Sequence, residues 1–241
     1  MINRPPRRRL QALAQGRGAQ ERLAALLAFD AAAQISARPL EEFHRDPTQL
    51  ANGLSELQRA LGSDVICCAL ADNFEKDSVG SSTFSLEAIL VPGTRGAASL
   101  EACRRLRATA GESCVLLAGL TGPATLAAQF ATDLSTAGEV FTSLAKAFCA
   151  AGADLILVFD AALPTDLGQW ADTLKTAGNI ARFHRALAMQ WDSAAPLPQP
   201  AKIPLFAPSK GLAGITVTTE IAAPDVSLEH LKAWITAVSA E

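Results

Sequence analysis

Apolar runs of strand length alternate with segments of helical periodicity along most of the chain. Because such alternation is typical of parallel strands joined by helices, the sequence predicts an α/β fold with a parallel sheet or barrel. Residues 23–29 fit a strand or a helix equally well. The other predicted strands cover residues 65–70, 115–120, 154–159 and 215–217. The predicted helices cover residues 7–15, 46–61, 100–110, 124–131, 137–150 and 228–238 and, with a break near Gly178, most of 170–191.

Two connections are predicted to be irregular. Residues 78–95 are rich in Gly, Ser and Thr, which favours a small hairpin or an excursion over the site. Four prolines between residues 196 and 204 mark a second irregular segment. Because no internal repeat or separate linker is visible, residues 1–241 are expected to form a single domain.

The segment 115–130 carries the clearest local signal. An apolar strand run leads into Gly122 and Pro123, which open an Ala-rich helix. Such a turn directs backbone N–H groups and the positive end of a helix dipole toward the carboxyl end of a strand. Thr121, Gly122, Pro123 and Thr125 are therefore candidate binding residues for a carboxylate or phosphate. A purely structural turn between strand and helix explains the same residues equally well.

Composition excludes several classes of partner. The formal net charge of −3 over 241 residues is too small to suggest a nucleic-acid partner. The four arginines between residues 4 and 9 are expected to lie on a solvated helix face. The apolar run at 23–29 is too short to span a bilayer, and polar residues interrupt the segment that a signal peptide would need. We therefore expect a cytoplasmic protein that does not contact a membrane.

The five cysteines are odd in number and show no metal-binding spacing. Because reduced, buried cysteines are ordinary in apolar strand runs, a zinc site made from cysteines is not expected. The chain contains no tyrosine, so no tyrosine can serve as an acid or a hydrogen-bond donor.

Five segments occur in an order that carries a family resemblance. They read RRRLQALAQGRGAQERLAA, DPTQLANGLSELQRALGSDVI, LAGLTGPATLAAQF, AKAFCAAGADLILVFDA and TTEIAAPDVSLEHLKAWI. In this order they resemble the uroporphyrinogen decarboxylase superfamily, which also contains the corrinoid and coenzyme M methyltransferases. The resemblance implies a (β/α)8 TIM-type barrel with its active site at the carboxyl ends of the strands. Because members of the family are usually longer, the barrel is expected to be shortened or incomplete in its C-terminal half, between Asp160 and Gly214.

Two aspartates that close predicted strands are the catalytic candidates. The resemblance places Asp72 and Asp160 at the barrel mouth, beside the Gly122-Pro123 turn. An aspartate there can bind N–H groups or take part in proton transfer, whereas capping of a turn is the alternative role for each. Arg95, in the excursion after the second predicted strand, could bind a substrate carboxylate or be an exposed loop arginine.

The resemblance also raises the question of a metal. Methyltransferases of the family carry a zinc-binding His-x-Cys pair and a later Cys. The comparable string, Phe183-His184-Arg185-Ala186, lacks the Cys, and the later Cys position falls on Glu220. His184 and Glu220 could bind a metal weakly, but two ligands do not make a zinc site.

Three functions are consistent with these residues. The favoured one is a methyltransferase-like enzyme that moves a methyl group between a small methylated donor or corrinoid and an acceptor, with a corrinoid or tetrahydrofolate as methyl carrier. The second is a cofactor-independent decarboxylase of a porphyrinogen-like or other carboxylated substrate, although residues 31–39 supply only Arg38 where those enzymes have an arginine-rich loop. The third is a non-catalytic barrel remnant that acts as a binding or partner subunit.

The expected partners follow from these functions. They are a small-molecule substrate and a corrinoid protein or partner subunit. A homo-oligomer is also expected, because an incomplete barrel exposes strand edges that another chain commonly covers.

Overall fold

The strands within the described residues form two parallel sheets. The computed structural model describes residues 4–17, 21–71, 75, 77, 84–191, 196–206 and 213–239. The strands are β1 (Arg22–Ala25), β2 (Val65–Ala69), β3 (Val115–Thr121), β4 (Leu155–Phe159), β5 (Leu187–Gln190), β6 (Ala201–Ile203) and β7 (Gly214–Thr218). The helices are α1 (Pro6–Ala14), α2 (Ala32–Ser36), α3 (Leu40–Arg45), α4 (Pro47–Leu61), α5 (Leu86–Leu90), α6 (Arg95–Ala110), α7 (Pro123–Gln129), α8 (Leu134–Ala151), α9 (Leu167–Phe183) and α10 (Leu228–Ser239).

The order of the strands brings the two ends of the chain together. One sheet has the order β2-β3-β4-β5 and the other has the order β1-β7-β6. The last strand therefore lies beside the first, with Leu23 opposite Ile215. The predicted α/β class with parallel strands is confirmed. The (β/α)8 barrel is not confirmed, because the described strands pair as separate sheets of four and three strands.

Helix ends follow the capping residues that the sequence supplies. The Oδ1 atom of Asp46 accepts hydrogen bonds from Thr48 N at 2.7 Å and Gln49 N at 3.2 Å, and Pro47 takes the first helical position of α4. Gly62 ends α4 with a φ of 64°, a conformation that costs glycine little. Among the described residues, no helix is long and apolar enough to cross a membrane.

The prediction of one long helix over residues 170–191 is wrong. Helix α9 ends at Phe183, Arg185 adopts a φ of 60°, and β5 follows. Four residues of β5 are too few for a periodicity to separate strand from helix. There is also no break at Gly178, which lies inside α9 where a Cβ atom would come within 3.1 Å of Leu197.

Three other boundaries differ from the predictions. The ambiguous run at 23–29 contributes strand β1, and β6 lies inside the proline-rich connection. Helix α6 begins at Arg95, five residues before the predicted start, because the Thr94 hydroxyl accepts a hydrogen bond from Ala97 N and caps it. Of the predicted excursion at 78–95, residues 78–83 lie outside the described residues, and the rest contains α5.

Each sheet has an inner and an outer face. Paired residues of parallel neighbours point to the same side, so the Thr121–Phe159 and Gly119–Leu157 pairs define one face of the four-stranded sheet. We call this the inner face. A Cβ atom on Gly119 would lie 2.9 Å from the Phe159 ring, so side chains of neighbouring strands pack closely there. The outer face carries Cys68, whose thiol interacts with Cys103 of α6.

Helix α1 lies at the amino ends of the strands and not on a solvated face, as the sequence had suggested. Arg7 Nε pairs with Asp154 Oδ1 at 2.7 Å, immediately before β4. Arg9 pairs with Asp64 at 2.6 Å and donates to the carbonyl of Arg22, so it links the amino ends of β2 and β1. Two of the four arginines are therefore structural ion-pair partners in the half-buried layer beneath the sheets.

Candidate functional site

Asp160 joins the carboxyl end of β4 to the start of α7. Its carboxylate is 4% exposed and accepts hydrogen bonds from Thr125 N at 2.7 Å and Ala124 N at 3.3 Å. The indole Nε1 of Trp170 in α9 donates to Asp160 Oδ2 at 2.6 Å. The structure thus brings Asp160 and the Gly122-Pro123 turn together, as expected. The anion at this helix start is Asp160 itself, and a substrate anion would have to displace it.

The two residues that open the turn allow this arrangement. A Cβ atom on Gly122 would lie 2.4 Å from both Cβ and Cγ of Asp160, so no other residue leaves room for the carboxylate. Pro123 occupies the first position of α7, where its missing N–H is not needed. Thr125 adds a second link, because its hydroxyl accepts a hydrogen bond from Ala162 N at 3.1 Å.

The inner face carries a mixed group of side chains at the carboxyl ends of the strands. Thr121 is buried and Phe159 is half-buried. The ring of Trp191, immediately after β5, lies 5.3 Å from the ring of Phe159. Lys202 of β6 pairs in register with Val217, and its Nζ atom lies 4.3 Å from the Trp191 ring. We call Phe159, Trp191 and Lys202 the inner mouth.

A histidine and an aspartate form a pair beyond the carboxyl end of β1. His44 Nε2 lies 2.9 Å from Asp30 Oδ1, and His44 is only 3% exposed. The side chain of Asp30 is 21% exposed. The His44 ring stacks on Phe29 at 5.5 Å, which fixes its orientation. Buried histidine behind a partly accessible carboxylate is an arrangement that suits proton transfer.

Sequence reasoning missed both the pair and the inner-mouth lysine. The neighbouring Asp46 caps α4, so His44 in the sequence looks like part of a helix start. Lys202 lies among the prolines of an irregular connection, where a three-residue strand gives no readable alternation. The available signal was the spacing of Asp30 after an apolar run, which is the same signal that singled out Asp72 and Asp160.

Arg95 is located away from the expected exposed loop. It is 7% exposed at the start of α6, its guanidinium binds the carboxylate of Glu41, and its backbone N donates to Asp77 Oδ2 at 2.8 Å. The Arg95 guanidinium holds the pKa of Glu41 below its usual value. A role for Arg95 in binding a substrate carboxylate stays a prediction.

The two metal-site candidates lie at different ends of their strands. His184 ends α9 and precedes β5, whereas Glu220 follows β7 and accepts a hydrogen bond from Leu205 N at 3.0 Å. Within the described ranges, no group of three or more His, Cys, Asp or Glu side chains is placed to hold a metal ion. The donor set of the described residues therefore does not fit a zinc ion. Asp72 lies outside the described residues, and its catalytic role stays a prediction.

The buried cysteines are poor nucleophiles in this structure. Burial raises the pKa of the Cys67 thiol to about 12, and nearby Asp30 adds to the shift. Burial likewise raises the pKa of Cys149 to about 12 and that of Cys114 to about 11. Because the thiolate is the reactive form, these side chains are expected to be inert at neutral pH.

Comparison with known proteins identifies a fold but no family. No protein-family model matches the chain, and no curated protein matches it. Among solved structures, a methyltransferase from Methanosarcina mazei superposes with a TM-score of 0.69 at 15% sequence identity, over 98% of this chain and 98% of that chain. The two proteins therefore have nearly the same length and share the fold. Membership of the uroporphyrinogen decarboxylase superfamily stays a prediction.

Proposed function

We propose that this chain is a methyltransferase-like enzyme that binds its substrate at the carboxyl ends of the strands. The observation that carries the proposal is the shared fold with a methyltransferase over nearly the whole length of both chains. The polar groups at the carboxyl ends support it, because parallel α/β folds bind ligands there. We further propose that the two sheets are parts of one barrel, since Lys202 of one sheet contacts Trp191 beside the other and Gln190 N donates to Pro198 O.

The transfer requires a proton acceptor and fixed geometry. An acceptor thiol or hydroxyl attacks the methyl carbon of the donor, the bond from that carbon to the donor atom breaks, and its electron pair stays with the donor. The proton of the acceptor must leave at the same time. Asp30 is suited to take it, because its carboxylate is partly exposed and His44 holds it at 2.9 Å. A corrinoid or tetrahydrofolate would supply the methyl group when bound.

The remaining candidates have positioning roles in this proposal. Asp160 holds the start of α7 through Ala124 N and Thr125 N, so it fixes the corner beside Thr121. Asp72 would orient the donor or acceptor from the carboxyl end of the neighbouring strand. Such positioning matters because small displacements of reacting groups have large effects on rate.

The test is methyl transfer by the purified protein. Methylcobalamin or methyl-tetrahydrofolate is offered with thiol acceptors, and the methylated product is measured by mass spectrometry. We expect turnover that falls roughly a hundredfold or more in Asp30→Asn, the size of a lost general base. Asp172→Asn is the matched control, because the Asp172 side chain is 77% exposed on α9. Neither turnover nor binding of any donor by the unmodified protein would refute the proposal.

A partner-binding function is favoured by a separate observation. Several exposed apolar side chains lie in segments that follow the carboxyl ends of strands, among them Leu163 at 93%, Leu167 at 70% and Phe206 at 66% exposure. Exposed apolar side chains of this kind mark surfaces that another chain covers. We propose that this end of the molecule also docks a partner subunit or a second copy.

Light scattering tests this second proposal. We expect the unmodified chain to run as an oligomer at micromolar concentration and Leu163→Asp to shift it toward the monomer. Phe183→Asp is the control, because Phe183 is equally apolar and 84% exposed but lies at the other end of α9. A monomeric unmodified protein would exclude self-association, and equal effects of both variants would deny a special role to the carboxyl ends.

A further inference from the structure

The inner mouth contains a lysine whose place on a strand is unusual for an exposed cation. Lys202 pairs with Val217, and Val217 pairs with Ala25, so the three side chains share one face of the three-stranded sheet. Val217 and Ala25 are fully buried. The face is the inner one, because the Lys202 ammonium reaches the ring of Trp191, which packs on the inner-face residue Phe159.

The charge of Lys202 is held in place without being neutralised. Its Nζ atom lies 4.3 Å from the centre of the Trp191 ring, a cation–π distance. None of the ion pairs found among the described residues involves Lys202. By contrast, Arg95 and Arg107 are each engaged by a carboxylate. An ammonium group fixed by an aromatic ring and open on its other side is suited to bind an anion.

Two aromatic rings form a wall beside this charge. The rings of Phe159 and Trp191 are 5.3 Å apart and inclined by 33°. Trp191 is nearly buried and Phe159 is half-buried, so the accessible part of the wall is chiefly the Phe159 ring. Gly119 presents no side chain beside Phe159, which leaves the wall narrow and flat. A flat, apolar body would pack on such a surface.

We propose that Phe159, Trp191 and Lys202 form a binding subsite for a small carboxylate with a flat apolar body, in which Lys202 binds the carboxylate. The proposal rests on the proposed function in taking the carboxyl ends of the strands as the substrate site. It adds the chemical class of the substrate: an anion of aromatic or similarly flat shape. Binding here needs no methyl donor and no turnover.

The experiment is a titration with benzoate as the probe and benzamide as its uncharged counterpart, followed by calorimetry at low salt. We expect saturable benzoate binding by the unmodified chain and roughly tenfold weaker binding by Lys202→Met, the change that losing one charged contact gives. Lys232→Met is the matched control, because Lys232 is an exposed lysine on α10, and it should bind benzoate normally. Benzamide should bind weakly to all three proteins.

Two further readouts keep the outcome decisive. Higher salt should weaken benzoate binding to the unmodified chain and to Lys232→Met but not to Lys202→Met. Phe159→Ala should weaken benzoate more than acetate, since only benzoate uses the aromatic wall. Absence of saturable benzoate binding, or equal binding by Lys202→Met and the unmodified chain, would overturn the subsite. Benzoate binding without any methyl transfer would instead leave the subsite standing and remove the proposed function.

Discussion

The two ends of β4 each carry a buried aspartate, yet the two carboxylates have different environments. Asp154, before the strand, binds Arg7 Nε at 2.7 Å and Arg107 Nη2 at 2.8 Å. Asp160, after the strand, binds backbone N–H groups of α7 and the Trp170 indole. The amino end is thus closed by ion pairs with arginine, whereas the carboxyl end is built from N–H groups and leaves Lys202 without an ion pair among the described residues. One end contributes stability, and the other arranges a site.

The largest effect is expected from Asp154→Asn. Removing the charge leaves two guanidinium groups facing each other in a mostly buried layer, which should lower the free energy of unfolding by about 3 kcal/mol. Urea denaturation followed by circular dichroism measures it. Asp64→Asn removes the more exposed partner of Arg9 and should cost less than about 1 kcal/mol. Equal costs for the two variants would contradict the view that the ion pairs of Asp154 hold the amino end.

The next effect tests the close approach at the other end. Gly122→Ala puts a Cβ atom where Asp160 lies, so the carboxylate must leave Ala124 N and Thr125 N. We expect a loss of about 2.5 kcal/mol from overpacking and broken hydrogen bonds. Gly178→Ala is the control, because its nearest neighbour is the flexible end of Leu197 in a helix interior. It should change the free energy of unfolding by less than about 1 kcal/mol, since alanine is the better helix former.

This contrast shows how far the sequence predicts the site. The sequence predicts Asp160 at a strand end and a helix start at Gly122 and Pro123, because both are local signals. It does not predict that one fills the other, since that depends on the register of β3 against β4 and on Trp170 from a third element. Asp154 likewise has an ordinary place before a strand. Its arginine partners come from α1 and α6, which are distant in sequence.

The fold shows the same division. Helix α4 is fully predicted, because Asp46, Pro47 and Gly62 signal its ends and its apolar residues repeat at helical spacing. Strands β5 and β6 are missed, because strands of four and three residues carry no periodicity and depend on pairing with neighbours. Lys202 is missed for the same reason, and with it the inner mouth.

A third test asks whether the indole holds Asp160. Trp170→Phe removes the donor at 2.6 Å and should cost about 2 kcal/mol, as expected for a hydrogen bond to a charged group. A double-mutant cycle with Asp160→Asn separates this bond from the packing change. We expect a coupling energy of about 1 kcal/mol or more. Additive effects in the cycle would mean that the indole packs beside the carboxylate without stabilising it.

The smallest effect comes from thiols that lie toward the two ends. Cys114, near Arg107 and Asp154, has a pKa raised by burial to about 11, and Cys67, near Asp30, has one raised to about 12. A raised folded-state pKa gives stability that is fully present below the unfolded value and is lost as the pH rises through 9 toward 11 or 12. Each thiol should cost about 0.4 kcal/mol between pH 7 and pH 9.

Cys114→Ala and Cys67→Ala divide that alkaline loss between the ends. Each variant should remove about 0.4 kcal/mol of the difference between urea unfolding at pH 7 and at pH 9, because both folded-state pKa values lie well above that range. The shares are expected to be equal although the ends are built from different groups, since burial is the main cause of both shifts. A larger share for Cys114 would mean that Arg107 and Asp154 rearrange when the pH rises, and that the ion-paired end is the less rigid of the two.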